Sequence, residues 1–485
     1  MSATRREALV SGIALGATLP LGRAAAASGP IRFPNGFLWG AATSSYQIEG
    51  GVGLDGRGRS IWDTYAHTPG RIANGDTGDV ACDSYRRWRD DVALLAALGL
   101  KSYRFSIAWP RIQPDGKGRP LQAGLDHYAR MTDALLAAGI RPMPTLYHWD
   151  LPQALEDAGG WPVRDTGARF VDYAAIVARA LGDRIRHWTV FNEPKTFVQV
   201  GYWQGGHAPG RKEPAAAMRA SHVVNLAYAD TVRALKAIDA RLAVGNALDV
   251  APMYPATDSA ADRAAASRWD VLLNHWYLVP ALTGRYPDGA IPADRLHAVL
   301  GWRAGDEARL KAGYDFLGVN HYTPLRISAA PDDPEPLNLG VRVEWATAPG
   351  PGPHTKTAIG WDIYPPAFGA ILRQMARLAP GVPIEITENG CADNTPPGRD
   401  GRVRDTMRTG YLRAYLAEVA GAIAAGVPVR GYHAWSLLDN FEWAAGYGQR
   451  FGIVHVDFTD PARRRRVKDS GRWFARVAKA NGLVV

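Results

Sequence analysis

Eight short apolar runs rich in β-forming residues recur from residue 37 onward, at 37–41, 102–106, 141–147, 187–192, 242–246, 316–320, 384–388 and 429–435. Between them lie Ala- and Leu-rich stretches with helical spacing at 83–98, 123–138, 164–181, 215–237, 368–378 and 406–425, and a last one at 470–480 would close the ring. Strands separated by crossovers of this length are parallel, because a hairpin needs only a few residues whereas a parallel return needs a helix. Eight such units predict an α/β fold, a (β/α)8 TIM barrel. Gly99, Gly139 and Gly426 stand just past three of the helical patterns, where a helix C-cap would sit. The stretches 247–315 and 324–363 exceed ordinary connections and predict elaborated loops at the carboxyl ends of the strands, with helices of their own. No linker, repeat or low-complexity segment divides 28–485, which reads as one domain.

Composition adds limits. A chain of 485 residues, 47% hydrophobic and 21% charged, can bury a large core. At its start, Thr4-Arg5-Arg6 precedes an apolar stretch at 9–21 and small residues at Ala24 to Ala27. That order resembles a twin-arginine export signal over residues 1–27 and predicts an exported protein, periplasmic or extracellular. The net charge is +9, of which Arg5, Arg6 and Arg23 against Glu7 supply +2, leaving a modest +7. The four arginines at 463–466 lack interleaved aromatics and read as a solvated face, so no nucleic-acid partner is expected. No later segment has the roughly eighteen uninterrupted apolar residues that a membrane span requires. Two cysteines, Cys82 and Cys391, exclude a disulfide-dense scaffold and a four-cysteine zinc site. They read as buried thiols, although export would permit one bridge. Asp55 and Asp63 have no metal-ligand partners at useful spacing, and nothing calls for a metal or an organic cofactor.

In a barrel of this kind the functional cleft forms at the carboxyl ends of the strands. Six of the eight predicted strands end in polar or aromatic residues: Arg104 and Ser106, His148 and Trp149, Asn192 and Glu193, Asn320 and Tyr322, Glu388, and Trp435. A purely structural account would scatter them. Glu193 and Glu388 would share the cleft, and two carboxyl groups meet the needs of glycosidic-bond cleavage: a proton for the leaving oxygen and a partner for the positive charge developing at the anomeric carbon. A separation of about 5–5.5 Å gives retention of configuration and about 6.5 Å or more gives inversion. Spacing in sequence leaves that choice open, and the alternative role for the pair is a buried salt bridge.

Five segments go further: Phe-Leu-Trp-Gly-Ala-Ala-Thr-Ser-Ser-Tyr-Gln-Ile-Glu-Gly at 37–50, Tyr-His-Trp-Asp-Leu-Pro at 147–152, Phe-Asn-Glu-Pro at 191–194, Ile-Thr-Glu-Asn-Gly at 386–390 and Trp-Ser-Leu-Leu-Asp-Asn-Phe-Glu-Trp at 435–443. In this order they resemble the signatures of glycoside hydrolase family 1. The resemblance implies a retaining two-step mechanism with Glu193 as acid/base and Glu388 as nucleophile. It implies that Gln47, His148, Asn192, Glu442 and Trp443 bind a terminal sugar and that Trp435 forms the platform under its apolar face. It places Arg104 and Tyr322 beside Glu388, where they would favour its charged form, and lets Asn320 orient the network. No cationic neighbour is apparent for Glu193.

Trp149 and Trp361 are candidates for the leaving-group side, and Glu49 is expected to be structural. Glu442-Trp443 resembles the branch that takes unphosphorylated sugars. The implied partner is therefore a small β-glycoside or oligosaccharide, with β-glucosidase as the leading activity and β-galactoside or β-fucoside cleavage, or transglycosylation, beside it. A non-catalytic sugar-binding protein could dispense with either carboxyl, yet both are present. His321, Val190 and Cys391 depart from the family pattern without removing a group the chemistry needs, and Cys391 raises the prospect of thiol-sensitive activity.

Overall fold

In the computed structural model, which describes residues 31–332, 339–350 and 354–483, eight parallel strands close into a ring. They are β1 (Leu38–Ala42), β2 (Ser102–Ser106), β3 (Arg141–Tyr147), β4 (His187–Asn192), β5 (Ala243–Asp249), β6 (Phe316–Asn320), β7 (Ile384–Asn389) and β8 (Val429–Trp435). Each pairs with the next in sequence, and β8 returns to β1 with Leu38 opposite Gly431 and Ala42 opposite Trp435. The closing seam depends on a glycine: a Cβ on Gly40 would lie 2.5 Å from the His433 ring and 2.6 Å from the Ser102 carbonyl. His433 can then lie across the seam, with Nε2 2.8 Å from Ser102 Oγ and Nδ1 3.0 Å from the Ile386 carbonyl. The reading of residues 1–27 as an export signal lies outside the described residues.

The predicted helices form at Ser84–Ala97, Gln122–Ala137, Arg164–Leu181, Pro214–Ile238, Pro366–Leu378, Thr406–Ala424 and Asp469–Ala480. Gly99, Gly139 and Gly426 follow three of them with φ of +72°, +68° and +90°, the left-handed geometry of a C-cap. The long connections carry the helices expected of them, among them Ala260–Asp270 and Ala293–Leu300. They also carry a small sheet that periodicity did not announce, in which Leu325–Ala329 lies between Met253–Pro255 and Val341–Glu344. Strand β5 runs three residues past its predicted end, to Asp249, because Ala247, Leu248 and Asp249 pair in register with Gly318, Val319 and Asn320 of β6.

Two surface expectations change. Arg465 is not solvated: it pairs with Asp91 at 2.9 Å with both side chains under 10% exposed, while Arg464 beside it faces solvent and pairs with Asp460. Cys82 and Cys391 are free and buried. Burial pushes the Cys391 thiol up to about 12, so it is a poor target for alkylation rather than a sensitive one. Glu49 is structural as expected, buried against Arg111 at 2.6 Å and accepting a 2.7 Å bond from Tyr128.

The loop after β8 is tied to the last helix by a fully buried ion pair, Lys468 Nζ to Asp439 Oδ1 at 2.7 Å. Burial would raise Asp439, but Lys468 and a hydrogen bond from His455 hold it down at about 2. Gly452 N also donates to Asp439 Oδ1. Removing one partner of such a pair leaves an uncompensated charge in the interior. Lys468→Met is expected to lower the stability of the folded chain by about 3–5 kcal/mol in urea unfolding, and adding Asp439→Asn is expected to restore part of that loss.

Candidate active site

Glu193 and Glu388 stand at the carboxyl ends of β4 and β7, both nearly buried, and are linked through a short chain of side chains. Arg104 on β2 is fully buried and donates from Nη1 to Glu388 Oε1 and from Nη2 to Asn192 Oδ1, the latter at 2.7 Å. Tyr322 donates to Glu388 Oε2 at 2.6 Å. Asn320 Nδ2 donates to Asn192 Oδ1 at 3.0 Å and to Glu193 Oε1 at 2.8 Å. Its own orientation is fixed by Thr387, whose hydroxyl donates to Asn320 Oδ1 at 2.6 Å. Glu193 has φ +47°, ψ +63°, in the left-handed region. For a residue with a Cβ this conformation costs of order 1–3 kcal/mol and needs neighbours to hold it. Its N–H donates to the Ala247 carbonyl of β5 at 2.8 Å, and the helix Pro194–Val198 starts directly after it, with proline at the first position.

A cavity of about 500 Å³ opens above the pair. Its walls include His148, Asn192, Tyr322, Trp435, Glu442 and Trp443, with Trp149 and Trp361 further along. His148 Nε2 lies 3.0 Å from Asn192 Nδ2, so the amide donates to it, and Nδ1 has no protein partner. Burial and Arg104 pull His148 well below its ordinary range, leaving a neutral ring. Trp443 and Trp149 also have positive φ, +50° and +79°, and their rings lie 4.4 Å apart between centroids. Three bulky non-glycine residues in this conformation at one rim mark a place where the surrounding structure holds side chains against local preference. Gln47 is buried beside Glu442, where Nε2 donates to Asn440 Oδ1 and Phe441 O at 3.0 Å and to Glu442 Oε2 at 3.5 Å.

A family model described as glycosyl hydrolase family 1 matches residues 30–483. The chain belongs to this family. It is 42% identical over 454 residues to beta-glucosidase A of Acetivibrio thermocellus, covering 93% of this chain and 99% of that one. It is 44% identical over 484 residues to thermostable beta-glucosidase B of Thermobispora bispora, covering 99% and 98%. Among solved structures, the family 1 β-glucosidase from Thermotoga maritima aligns with a TM-score of 0.87 at 40% identity, covering 94% of this chain and 100% of that one. The Thermotoga maritima β-glucosidase has also been solved in complex with deoxynojirimycin.

In this family 1 glycosyl hydrolase the two carboxyls meet unequal surroundings. Burial raises Glu388, and Arg104, Tyr322 and Asn320 oppose the rise, so it ends above its ordinary value, not below as its cationic neighbour alone would suggest. Glu193 is raised well above its ordinary range by burial, by Asp249 and by Glu388, with weaker opposition from Asn320 and Lys195. Glu442 is pushed up to about 8 by burial and by Glu388, with a hydrogen bond from Gln47 opposing the rise. Among the described residues no group of three or more His, Cys, Asp or Glu is placed to hold a metal ion, and no helix is long and apolar enough to cross a membrane.

Among the wall residues not singled out by sequence are Lys195, Asp249 and Trp345. Lys195 is the residue after the Phe-Asn-Glu-Pro segment, and it forms an ion pair with Asp249. Asp249 was hidden by the early end predicted for β5. Trp345, 47% exposed, sits in a loop with no recognisable pattern. Tyr322→Phe deletes one of the donors to Glu388 and is expected to raise the pH at which Glu388 takes up a proton by roughly half to one unit, followed by NMR of carbon-13-labelled glutamate; an unmoved midpoint would show that Tyr322 does not stabilise the carboxylate.

Proposed function

We propose that this chain is a retaining β-glycosidase, acting as a β-glucosidase on terminal non-reducing β-D-glucosyl residues, with Glu193 as acid/base and Glu388 as nucleophile. The observation that carries the assignment of roles is the placement of Arg104 and Tyr322 on Glu388 alone. A carboxyl with a cation and a hydroxyl donor is the easier of the two to keep ionised, and the other, in a buried site with two carboxyls nearby, keeps its proton.

In the first step Glu193 gives its proton to the glycosidic oxygen while Glu388 attacks the anomeric carbon. The carbon–oxygen bond breaks, the aglycone leaves as an alcohol and a glycosyl ester forms on Glu388. The ester carries no charge, so the contribution of Glu388 to holding the proton on Glu193 disappears. Glu193, now ionised, takes a proton from water as the water oxygen attacks the anomeric carbon; the bond from that carbon to Glu388 breaks, its electron pair restores the Glu388 carboxylate, and the sugar leaves with its original configuration. Gln47, His148, Asn192, Glu442 and Trp443 bind the sugar hydroxyls, and Trp435 lies under its apolar face. Trp149 and Trp361 face the leaving group. A phosphorylated sugar would need cations where Glu442 and Trp443 stand. β-Galactosides and β-fucosides are the alternative substrates, and transglycosylation follows when an alcohol replaces water in the second step.

For residues 1–27 we propose a twin-arginine export signal, supported by their ordered basic, apolar and small-residue regions. Changing Arg5 and Arg6 to lysine is expected to leave the activity inside the cell, and unchanged secretion would refute it.

The roles are separated by two variants. Glu388→Gly is expected to lose hydrolysis and to regain turnover with azide or formate, with azide giving the α-glycosyl product. Glu193→Ala is expected to lose about 10²–10⁴-fold on a glucoside with a poor leaving group and far less on an activated nitrophenyl glucoside. Equal losses on both substrates would remove the acid role.

A further inference from the structure

The turn that carries Glu193 is gripped by β5 at two points. Ala247 accepts the Glu193 N–H at 2.8 Å. Two residues on, Asp249 accepts a hydrogen bond from Thr196 Oγ1 at 2.8 Å and forms an ion pair with Lys195. Lys195 and Thr196 belong to the helix Pro194–Val198 that begins immediately after Glu193. Asp249 is also the register partner of Asn320, which donates to Glu193. The Lys195 and Asp249 side chains are only 15% and 16% exposed, so their attraction is less screened than that of a surface pair. Lys195 Nζ further lies 5.6 Å from the centre of the Trp345 ring, which limits where the ammonium can go.

We propose that Lys195 and Asp249 are a positioning couple for Glu193: Asp249 pins the left-handed turn to the end of β5, and the opposite charges of the couple set the field that Glu193 faces. The inference rests on Glu193 being the acid/base. Glu193 meets charge from β5 through Asp249, from β7 through Glu388 and from its own helix through Lys195. The other titratable groups on the cavity wall add little charge near neutral pH. His148, His207 and His321 are buried and neutral, burial and Glu388 push Glu442 up to about 8, and burial raises Tyr322 well above its ordinary value. Arg104 on β2 is committed to Glu388 and Asn192. The couple is therefore the adjustable part of the field around the acid.

The test is the pH dependence of kcat/KM for the full chain on a β-glucoside with a poor leaving group, where the basic limb reports loss of the proton from the acid. Asp249→Asn keeps an oxygen for Thr196 but deletes a negative charge, so the limb is expected to move to lower pH by roughly half to one unit. Lys195→Met deletes the positive charge and is expected to move it to higher pH, and Lys195→Arg to bring it back toward the parent. A contact that merely held the fold together would not shift the limb in opposite directions for the two partners.

Limbs that stay in place, or move the same way, in folded variants overturn the proposal. Lys195→Met, at the cavity wall, decides alone if Asp249→Asn does not fold: an upward shift supports the couple, and no shift or a downward one refutes it. Glu193→Ala on the same substrate separates the two levels. If it retains the parental basic limb, the acid/base reading itself fails; if it loses the limb while the Lys195 and Asp249 variants leave theirs unmoved, only the couple fails.

Discussion

The guanidinium of Arg104 is the interaction on which the site depends. It is fully buried, projects from the middle of β2 and donates to Glu388 on β7 and to Asn192 on β4, so one cation ties three strands together. A buried charge of this kind is tolerable only because its partners are charged or polar and already in place. Its placement also breaks the symmetry of the carboxyl pair. Glu388 receives the cation, while Glu193 receives a neutral amide from Asn320 and lies near the carboxylate of Asp249. Two carboxyls in one cavity thus acquire different proton affinities without different chemistry.

The barrel makes this possible by bringing distant segments to one rim. The eight strands were legible because β-branched and aromatic runs alternate with Ala- and Leu-rich helical spacing, and parallel pairing follows from that alternation. Strand β5 shows the limit of such reading. Ala247, Leu248 and Asp249 carry no strong β signal and become strand only because β6 offers them partners in register. The early stop predicted there also concealed Asp249, whose place at a strand end is what gives it access to the cavity. The basic run at 463–466 misled for a similar reason: a charge pattern does not reveal that Asp91 lies opposite Arg465.

The site divides along the same line. Glu193, Glu388, His148, Asn192, Glu442 and Trp443 lie in segments whose order along the chain resembles a family, and they converge on one cavity. Gln47 shares those segments and is buried beside Glu442. Lys195 directly follows the Phe-Asn-Glu-Pro segment, Asp249 ends β5 and Trp345 lies in an elaborated loop, and none is marked by a repeating pattern. The elaborated loops are the side on which a leaving group would lie, so the features that distinguish one β-glycosidase from another are those least visible in a single sequence. The rim is also where backbone strain collects, at Trp149, Glu193 and Trp443.

In the proposed mechanism Glu388 attacks the sugar directly, and configuration is therefore retained. Proton NMR of a β-glucoside digest, recorded before the released glucose mutarotates, tests it most directly. The β anomer is expected to form first; first formation of the α anomer would contradict direct attack and would require a water molecule between Glu388 and the anomeric carbon.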